Sequence, residues 1–215
     1  MSPDVNPTRR YDSPRRREQA AATRREILEA ARRLFEEHGY AATTMAAIAG
    51  EAGVALKTVY VVFGTKAGVL RALWNLLLRG GGDDRPIAEH AWYREVLDEP
   101  DPVRQLQLNA RNSRAGKTRL GRMFELIRTA AQTEPEIAEL WERIQTEYHA
   151  NQRAIVQSIA RKGALKPGLR VDRAADRLWA INNPDVWQLL VVRRGWSPAA
   201  YERWAAEQAS AQLLA

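Results

Sequence analysis

The 215 residues contain no cysteine, which excludes a disulfide framework and any thiolate metal site and is compatible with a reducing compartment. Histidine is almost as scarce. His38, His90 and His149 lie far apart, and no His-x-x-x-His or Glu-x-x-His pair offers metal-ligand spacing. No apolar run approaches the ~18 residues that a membrane-spanning helix needs, so no membrane partner is expected. The N-terminus, MSPDVNPTRRYDSPRRR, lacks the apolar core of a signal peptide, so secretion is not expected and the expected location is cytoplasmic. A Gly-x-Ser-x-Gly nucleophile elbow is missing. The fragment Ala115-Gly116-Lys117-Thr118 ends like a phosphate-binding loop, but the first glycine of that motif would fall at Arg111 and no strand pattern precedes it. Glu134, Glu136, Glu139 and Glu142 fit a helix cap and a solvated face. These absences leave no catalytic residue, no metal and no cofactor to propose, and an enzyme is not expected.

What is present is apolar and basic. Hydrophobic residues make up 45% of the chain and include seven Trp, enough for a substantial core. Net charge is +7, and residues 1–80 hold 13 Lys and Arg against 8 Asp and Glu. That concentration favours a polyanionic partner for the first third of the chain. Residues 1–22 are rich in Pro, Arg and Ala without apolar periodicity. They are expected to form a mobile basic arm, with Arg9, Arg10 and Arg15–Arg17 either following a DNA groove or simply solvated.

Helical periodicity begins at a capping box, Thr23 with Glu26, followed by Ile27, Ala30, Ala31, Leu34 and Phe35 on one stripe. His38 and Gly39 suit the C-terminus of that helix. A short helix capped by Thr43 or Thr44 carries Ile48, Ala49 and Ala52 inward, and Gly53 supplies the positive φ that the following turn requires. A second short helix buries Val59 and Phe63, with Val54 completing the small core. Its outward residues are Leu56, Lys57, Thr58, Tyr60 and Val61, and Gly64 ends it. Two short helices around such a turn form a helix-turn-helix, which lays one helix across DNA. Thr65 then caps a fourth helix opening at Lys66 and carrying Val69, Leu70, Leu73, Trp74 and Leu77.

Gly80–Gly82 with Asp83, Asp84 and Pro86 predict a loop. Beyond it, helices are expected over Ile87–Leu97, from Asp101 as cap with Pro102 at the first position to about Arg114, and around Leu120–Ala131. Thr133 with Glu136 predicts a capping box for a long helix that ends before Gly163 and Pro167-Gly168. Asp172 is expected to cap the next helix, Pro184 to kink or restart it, and Ser197-Pro198 to open the last. There is no convincing strand and no internal repeat. The fold class is all-α: a three-helix helix-turn-helix domain over 23–66, then a larger helical ligand-sensing and dimerisation domain over 67–215.

Phe35, Gly39, Tyr40, Thr43-Thr44, Ile48-Ala49, Ala52-Gly53-Val54, Thr58-Val59-Tyr60, Phe63 and Lys66 together resemble the DNA-binding domain of the tetracycline-repressor-like (TetR) family. The resemblance covers residues 23–70. It implies a sequence-specific regulator, commonly a repressor, that leaves a near-palindromic operator when a small ligand shifts the helix opening at Lys66. It also implies that Tyr60 and Lys66 hold phosphate. From the residues themselves, Thr44 can offer its hydroxyl and helix N-terminus to a phosphate, while Lys57 and Thr58 are placed to read base edges and Leu56 and Val61 to touch thymine methyls. Two positions depart from the family pattern: Ala55 stands where Ser or Thr often caps the recognition helix, and Val61-Val62 replace positions that are often aromatic or His. The surface facing DNA is therefore short of donors. A helical interaction module, or a DNA-binding protein without sequence preference, is the competing reading.

In that family the later helices enclose a ligand pocket and the last two form a homodimer contact. Trp92, Phe124, Trp141, Tyr148 and Trp179 are the candidate walls for a small hydrophobic or aromatic ligand, with Arg128 and Asn182 as polar contacts; plain core packing is the alternative for each aromatic. Trp187 and Leu190, in the apolar segment Val186–Val192, and Tyr201, Trp204 and Gln208 of the last helix are the candidate dimer residues. Double-stranded DNA and a second copy of the chain are the expected partners.

Overall fold

The computed structural model describes residues 14–78 and 89–215, and the chain divides into two compact units, Met1–Ala72 and Leu73–Ala215. The first unit opens with α1, Pro14–Ala42, whose helical geometry breaks at Gly39 (φ 76°). The helix thus begins well before Thr23, which leaves Thr23 inside it rather than capping it, and makes residues 14–22 helical rather than an arm. Arg, Glu, Gln and Ala are strong helix formers, and no Gly or Pro falls between Arg15 and His38, so summed propensity carries the helix where no apolar stripe exists. Pro14 takes the favoured first position. The rest of the expected arm, with Arg9 and Arg10, and most of the expected glycine-rich loop lie outside the described residues.

Two short helices follow, α2 (Met45–Glu51) and α3 (Leu56–Phe63). Thr44 is the cap: its hydroxyl oxygen accepts from the Ala47 N–H at 3.1 Å. Thr43 is buried instead and donates to the Gly39 carbonyl at 2.8 Å, which fastens the end of α1. Gly53 has φ 66°, as the turn demands, and the Val54 N–H closes onto the Ala49 carbonyl at 3.0 Å. The axes of α2 and α3 turn through 113°, within the range of a helix-turn-helix. Ile27, Ala30, Ala31, Phe35, Ile48, Ala49, Val59, Val69 and Leu70 are all buried and form the small core. Val54 and Phe63, expected there too, are only half-buried, and the Phe63 ring carries the Arg24 guanidinium 4.7 Å from its centre. Helix α4, Lys66–Leu78, starts with the Thr65 hydroxyl accepting from the Gly68 N–H at 3.0 Å.

The second unit contains α5 (Ala91–Asp98), α6 (Pro102–Ala130), α7 (Pro135–Arg161), α8 (Val171–Ile181), α9 (Pro184–Trp187) leading into a π-helical turn (Gln188–Arg193), and α10 (Pro198–Leu213). Asp101 caps α6 as expected, accepting from the Val103 N–H at 3.0 Å, and Ser197 caps α10. Three expectations are corrected. Helix α6 is continuous through Gly116, because one glycine costs a helix only ~1 kcal/mol and long flanking packing outweighs it. Pro135 occupies the first position of α7 with Glu134 before it, so Thr133 and Glu136 form no capping box. Asp172 lies inside the first turn of α8 and pairs with Arg153 at 3.0 Å, while Arg170 holds the cap position. Among the described residues the only strand-like pairing is an isolated bridge between Leu165 and Leu214. No single described helix is long and apolar enough to cross a membrane.

Helix α6 packs on α10, α7 packs on α8, and α5 rests on both α6 and α7. Trp187 and Tyr201, expected at a dimer contact, are instead core residues with 6% and 0% exposure, their rings edge-to-face at 5.1 Å. The switch to π pitch after Trp187 rotates the apolar segment, so that Leu189 and Val192 point outward while Leu190 leans on the core. Trp204 and Gln208 are partly exposed.

One backbone approach is unusually close. A Cβ at Gly68 would collide with the Phe63 carbonyl oxygen, so only glycine lets the start of α4 pass the end of α3. Gly68→Ala is expected to destabilise the protein by roughly 1–3 kcal/mol through this overpacking, measured as a lower urea midpoint. An unchanged midpoint would show that the end of α3 moves aside freely.

Candidate nucleic-acid interface and an internal cavity

An eight-residue helix presents two faces, and α3 divides them sharply. Val59 is fully buried, and Thr58 and Val62 are half-buried. Leu56, Tyr60 and Val61 are 41%, 50% and 77% exposed, and Lys57 is exposed beside them. Helical spacing of i, i+1, i+4 and i+5 places these four on one outward arc. Thr58 sits on its flank. Lys57 is the one cation of α3, and Thr58 and the Tyr60 hydroxyl are its other polar groups. Ala55 at the N-cap makes no side-chain cap, in line with the departure seen in sequence. Thr44 is exposed at the start of α2, but its hydroxyl oxygen already serves as the cap acceptor.

Lys66 is placed differently from the expectation. Its amine donates to the Tyr40 carbonyl at 2.8 Å, reaches the Ala41 carbonyl at 3.5 Å and stands 4.1 Å from the centre of the Tyr40 ring. That ring in turn stacks on Phe35 with centroids 5.7 Å apart. A cation against the last carbonyls of a helix complements its dipole, so this lysine pins the end of α1 to the start of α4. Arg33 and Glu51, paired at 2.9 Å, tie α1 to α2 in the same unit. Arg15, Arg16 and Arg17 are exposed on the first turns of α1.

The second unit holds a partly open cavity of about 300 Å³. Its walls come from the later part of α4 (Trp74, Leu78), from α5 (Trp92, Tyr93), from α6 between Asn109 and Phe124, from α7 between Ile144 and Gln152, and from Pro184. Of the expected pocket residues, Trp92, Phe124 and Tyr148 line it and four do not. Arg128 is held by Glu125 at 2.7 Å, with Asp185 3.9 Å away; the paired carboxylates keep its guanidinium pKa raised. Trp141 lies against Phe124, with ring centroids 6.5 Å apart. Trp179 lies edge-on to His149. Asn182 sits behind the wall, with its backbone carbonyl accepting from the Tyr148 hydroxyl at 2.7 Å.

Sequence reasoning missed the polar part of the cavity. Lys117 is a wall residue and only 4% exposed. It donates to the Ser113 hydroxyl oxygen; Ser113 lies 3.3 Å from the Tyr148 oxygen, which itself donates onward to Asn182. The Tyr201 and Tyr148 rings lie 5.2 and 6.0 Å from the Lys117 amine. No described carboxylate pairs with this amine, although Glu147 and Arg119 line the same cavity and Arg114 pairs with Glu202 between α6 and α10. Burial lowers the Lys117 pKa from its ordinary 10.5 to about 7 and raises the Tyr148 phenol to about 12. Buried Gln152 accepts from Asn109 at 3.0 Å, and the side-chain oxygen of buried Asn182 has no hydrogen-bond partner. A lysine in register with Leu106, Ala110, Ser113, Leu120 and Phe124 is the available signal, and the helix break expected before Leu120 conceals it.

Residues 27–73 match the family model of bacterial regulatory proteins, tetR family. ArpR of Pseudomonas putida, a probable HTH-type transcriptional regulator, is 32% identical over 173 residues, spanning 77% of this chain and 79% of that protein. TtgR, an HTH-type transcriptional regulator from a strain of the same species, is 31% identical over 173 residues with the same two shares. Among solved structures, NalD of Pseudomonas aeruginosa, the secondary repressor of the MexAB-OprM multidrug efflux pump, aligns with a TM-score of 0.70 at 25% identity, covering 92% of this chain and 98% of that one.

The Lys117 shift makes stability depend on pH. Above about pH 7 the folded amine is mostly neutral while the unfolded one stays protonated up to its ordinary 10.5, so the unfolded state binds more protons in that window. Stability therefore rises with pH from about 7 towards 10.5 as far as this group is concerned. Thermal melts across that range should show a smaller rise in Lys117→Met than in the parent protein; parallel curves would mean that the amine is not desolvated.

Proposed function

The chain belongs to the TetR family of bacterial regulatory proteins, and from that premise we propose how its parts work: α3 enters the major groove, a two-fold dimer sets the spacing of two copies, and a small ligand in the cavity of the second unit releases the DNA. The protein is a sequence-specific DNA-binding transcriptional regulator, and repression is the mode this reading adopts. One observation carries the assignment of the DNA face: α2 and α3 meet at 113° with Leu56, Lys57, Tyr60 and Val61 turned outward together. Lys57 then donates to guanine O6 or N7, Leu56 and Val61 meet thymine methyls, and Tyr60 and the N-terminal end of α2 at Thr44 meet phosphates. Arginines 15–17 add sequence-independent attraction. Lys66 acts behind the surface, by holding Tyr40 and the end of α1 in place.

Leu189, Val192 and Trp196, 51%, 62% and 37% exposed, support a dimer contact that continues onto Trp204 and Gln208 of α10. A two-fold contact places the recognition helices about 34–36 Å apart on a near-palindromic site. The cytoplasm is the location this function requires.

Gel shifts with the DNA upstream of the protein's own gene test the reading. Sequence-dependent binding is expected, with a log–log salt slope steeper than about −2, because phosphate contacts outnumber base contacts. Lys57→Ala should cost roughly 1–3 kcal/mol and relax sequence preference. Lys66→Met should lower thermal stability and leave the salt slope unchanged; a slope smaller by about one would return a phosphate contact to Lys66. Equal binding to every duplex would favour a DNA coat or adaptor over a regulator. For the dimer, Val192→Glu should shift sedimentation from two copies towards one, and an unchanged boundary would move the contact elsewhere.

A further inference from the structure

We propose that the ligand of the second unit's cavity is an apolar organic acid whose anionic oxygen, carboxylate or phenolate, is held by the Lys117 amine. The inference deepens the ligand-released reading above and rests on it. It stands on what surrounds Lys117. The amine is enclosed, 4% exposed, and hydrogen-bonded among the described residues to Ser113 alone. An ammonium carries three donors, so two N–H groups have only the faces of Tyr148 and Tyr201 for company. Such rings compensate a desolvated cation incompletely. The two tyrosines do not supply the missing charge either, because burial raises both phenol pKa values and keeps them neutral.

Other charged groups of the cavity leave the vacancy open. Glu147 on α7 lines the cavity but is exposed and unpaired with Lys117, and Arg119 donates to the Leu77 carbonyl at 2.9 Å. Glu202 on α10 is taken by Arg114. Around this buried amine, Trp74, Trp92, Leu120, Phe124 and Ile144 line the cavity with hydrocarbon and aromatic faces. The site therefore asks for one negative oxygen on a largely apolar body. A cation would be repelled by the protonated amine, and a neutral ligand would bring no counter-charge to stabilise that form. Binding of the anion also favours the protonated amine, so a proton is taken up when the acid binds above the free group's pKa.

Isothermal titration of the full-length protein without DNA tests this with two matched pairs of anionic and neutral probes: 1-naphthaleneacetate against 1-naphthaleneacetamide, and 2,4-dinitrophenolate against 2,4-dinitroanisole. At least one acid is expected to bind roughly tenfold or more tightly than its neutral partner, and the pair that shows it identifies the carboxylate or the phenolate source. Lys117→Arg should keep that preference and Lys117→Met should abolish it. At pH 8, titration in two buffers of different ionisation enthalpy should show uptake of up to about one proton by the parent protein. No preference in either pair, binding of none of the four probes, a preference that persists in Lys117→Met, or no proton uptake would each overturn the proposal. Operator binding is measured separately on the ligand-free protein, so a failure of the DNA reading would leave the acid preference standing, and the reverse.

Discussion

The orientation of α3 is the constraint on which the DNA-binding unit depends. An isolated helix of eight residues does not hold together in water, since its nucleus costs more than so few hydrogen bonds return. Its direction is set from outside itself. Val59 is buried against the core that includes Ile48 and Ala49, the Val54 N–H closes the turn onto Ala49, and the start of α4 passes so near the Phe63 carbonyl that Gly68 tolerates no side chain. Lys66, on Tyr40, joins the two ends of α1 and α4 that flank this arrangement. Each contact is modest, yet together they leave the short helix one direction in which to present Lys57 and Tyr60.

That scheme explains why a motif with a sparse polar surface still has a demanding scaffold. Under the proposed DNA reading, Leu56 and Val61 offer contact area and thymine preference but little hydrogen-bonded discrimination. Where few donors read the bases, each must be held accurately, because a displaced lysine on a flexible stem becomes one more phosphate contact. Under the same reading, the close passage at Gly68 and the tie at Lys66 bear on specificity as well as on stability.

Much of this unit is legible in the sequence because its elements are local. Gly53, Gly64, Thr44 and Thr65 announce turn and caps at fixed offsets, and the apolar positions of α2 and α3 follow one stripe. Where sequence and structure part, the physical cause is shared: a local signal is outweighed by the surrounding packing or propensity. Gly116 looks like a break within what is one long helix, and Thr23 like a start where the arginine- and alanine-rich run already propagates. Thr133 and Asp172 have the chemistry of caps, but Glu134 and Arg170 occupy those positions. For Lys66 the chain order shows the residue and its family association but not its acceptors, since the Tyr40 carbonyl lies 26 positions away. In the cavity, aromatic residues stand out as walls, whereas the group that distinguishes the site is a lysine on the inner stripe of α6. Trp187 and Tyr201 are read as dimer residues from their apolar helices, but they belong to the core that α6, α8 and α10 build together, a long-range packing that the local pattern does not show.

The two units spend polarity in opposite ways, and that contrast bears on what the second is for. The core beneath α3 is almost wholly aliphatic and aromatic, with Thr43 as its buried polar residue. The second unit buries Gln105, Asn109, Lys117, Gln152, Ser158 and Asn182, and leaves the Gln105 nitrogen and the Asn182 oxygen without hydrogen-bond partners. A fold selected for stability alone gains by replacing such groups with hydrocarbon of the same shape, because a buried unpartnered polar atom costs ~1–3 kcal/mol. Keeping a lysine there without a counter-charge costs stability in the empty state, and an occupant that completes the site recovers that cost only in the form that binds it. A ligand can shift an equilibrium by no more than its difference in affinity between two states. A buried lysine without a counter-charge is a single residue that can supply such a difference.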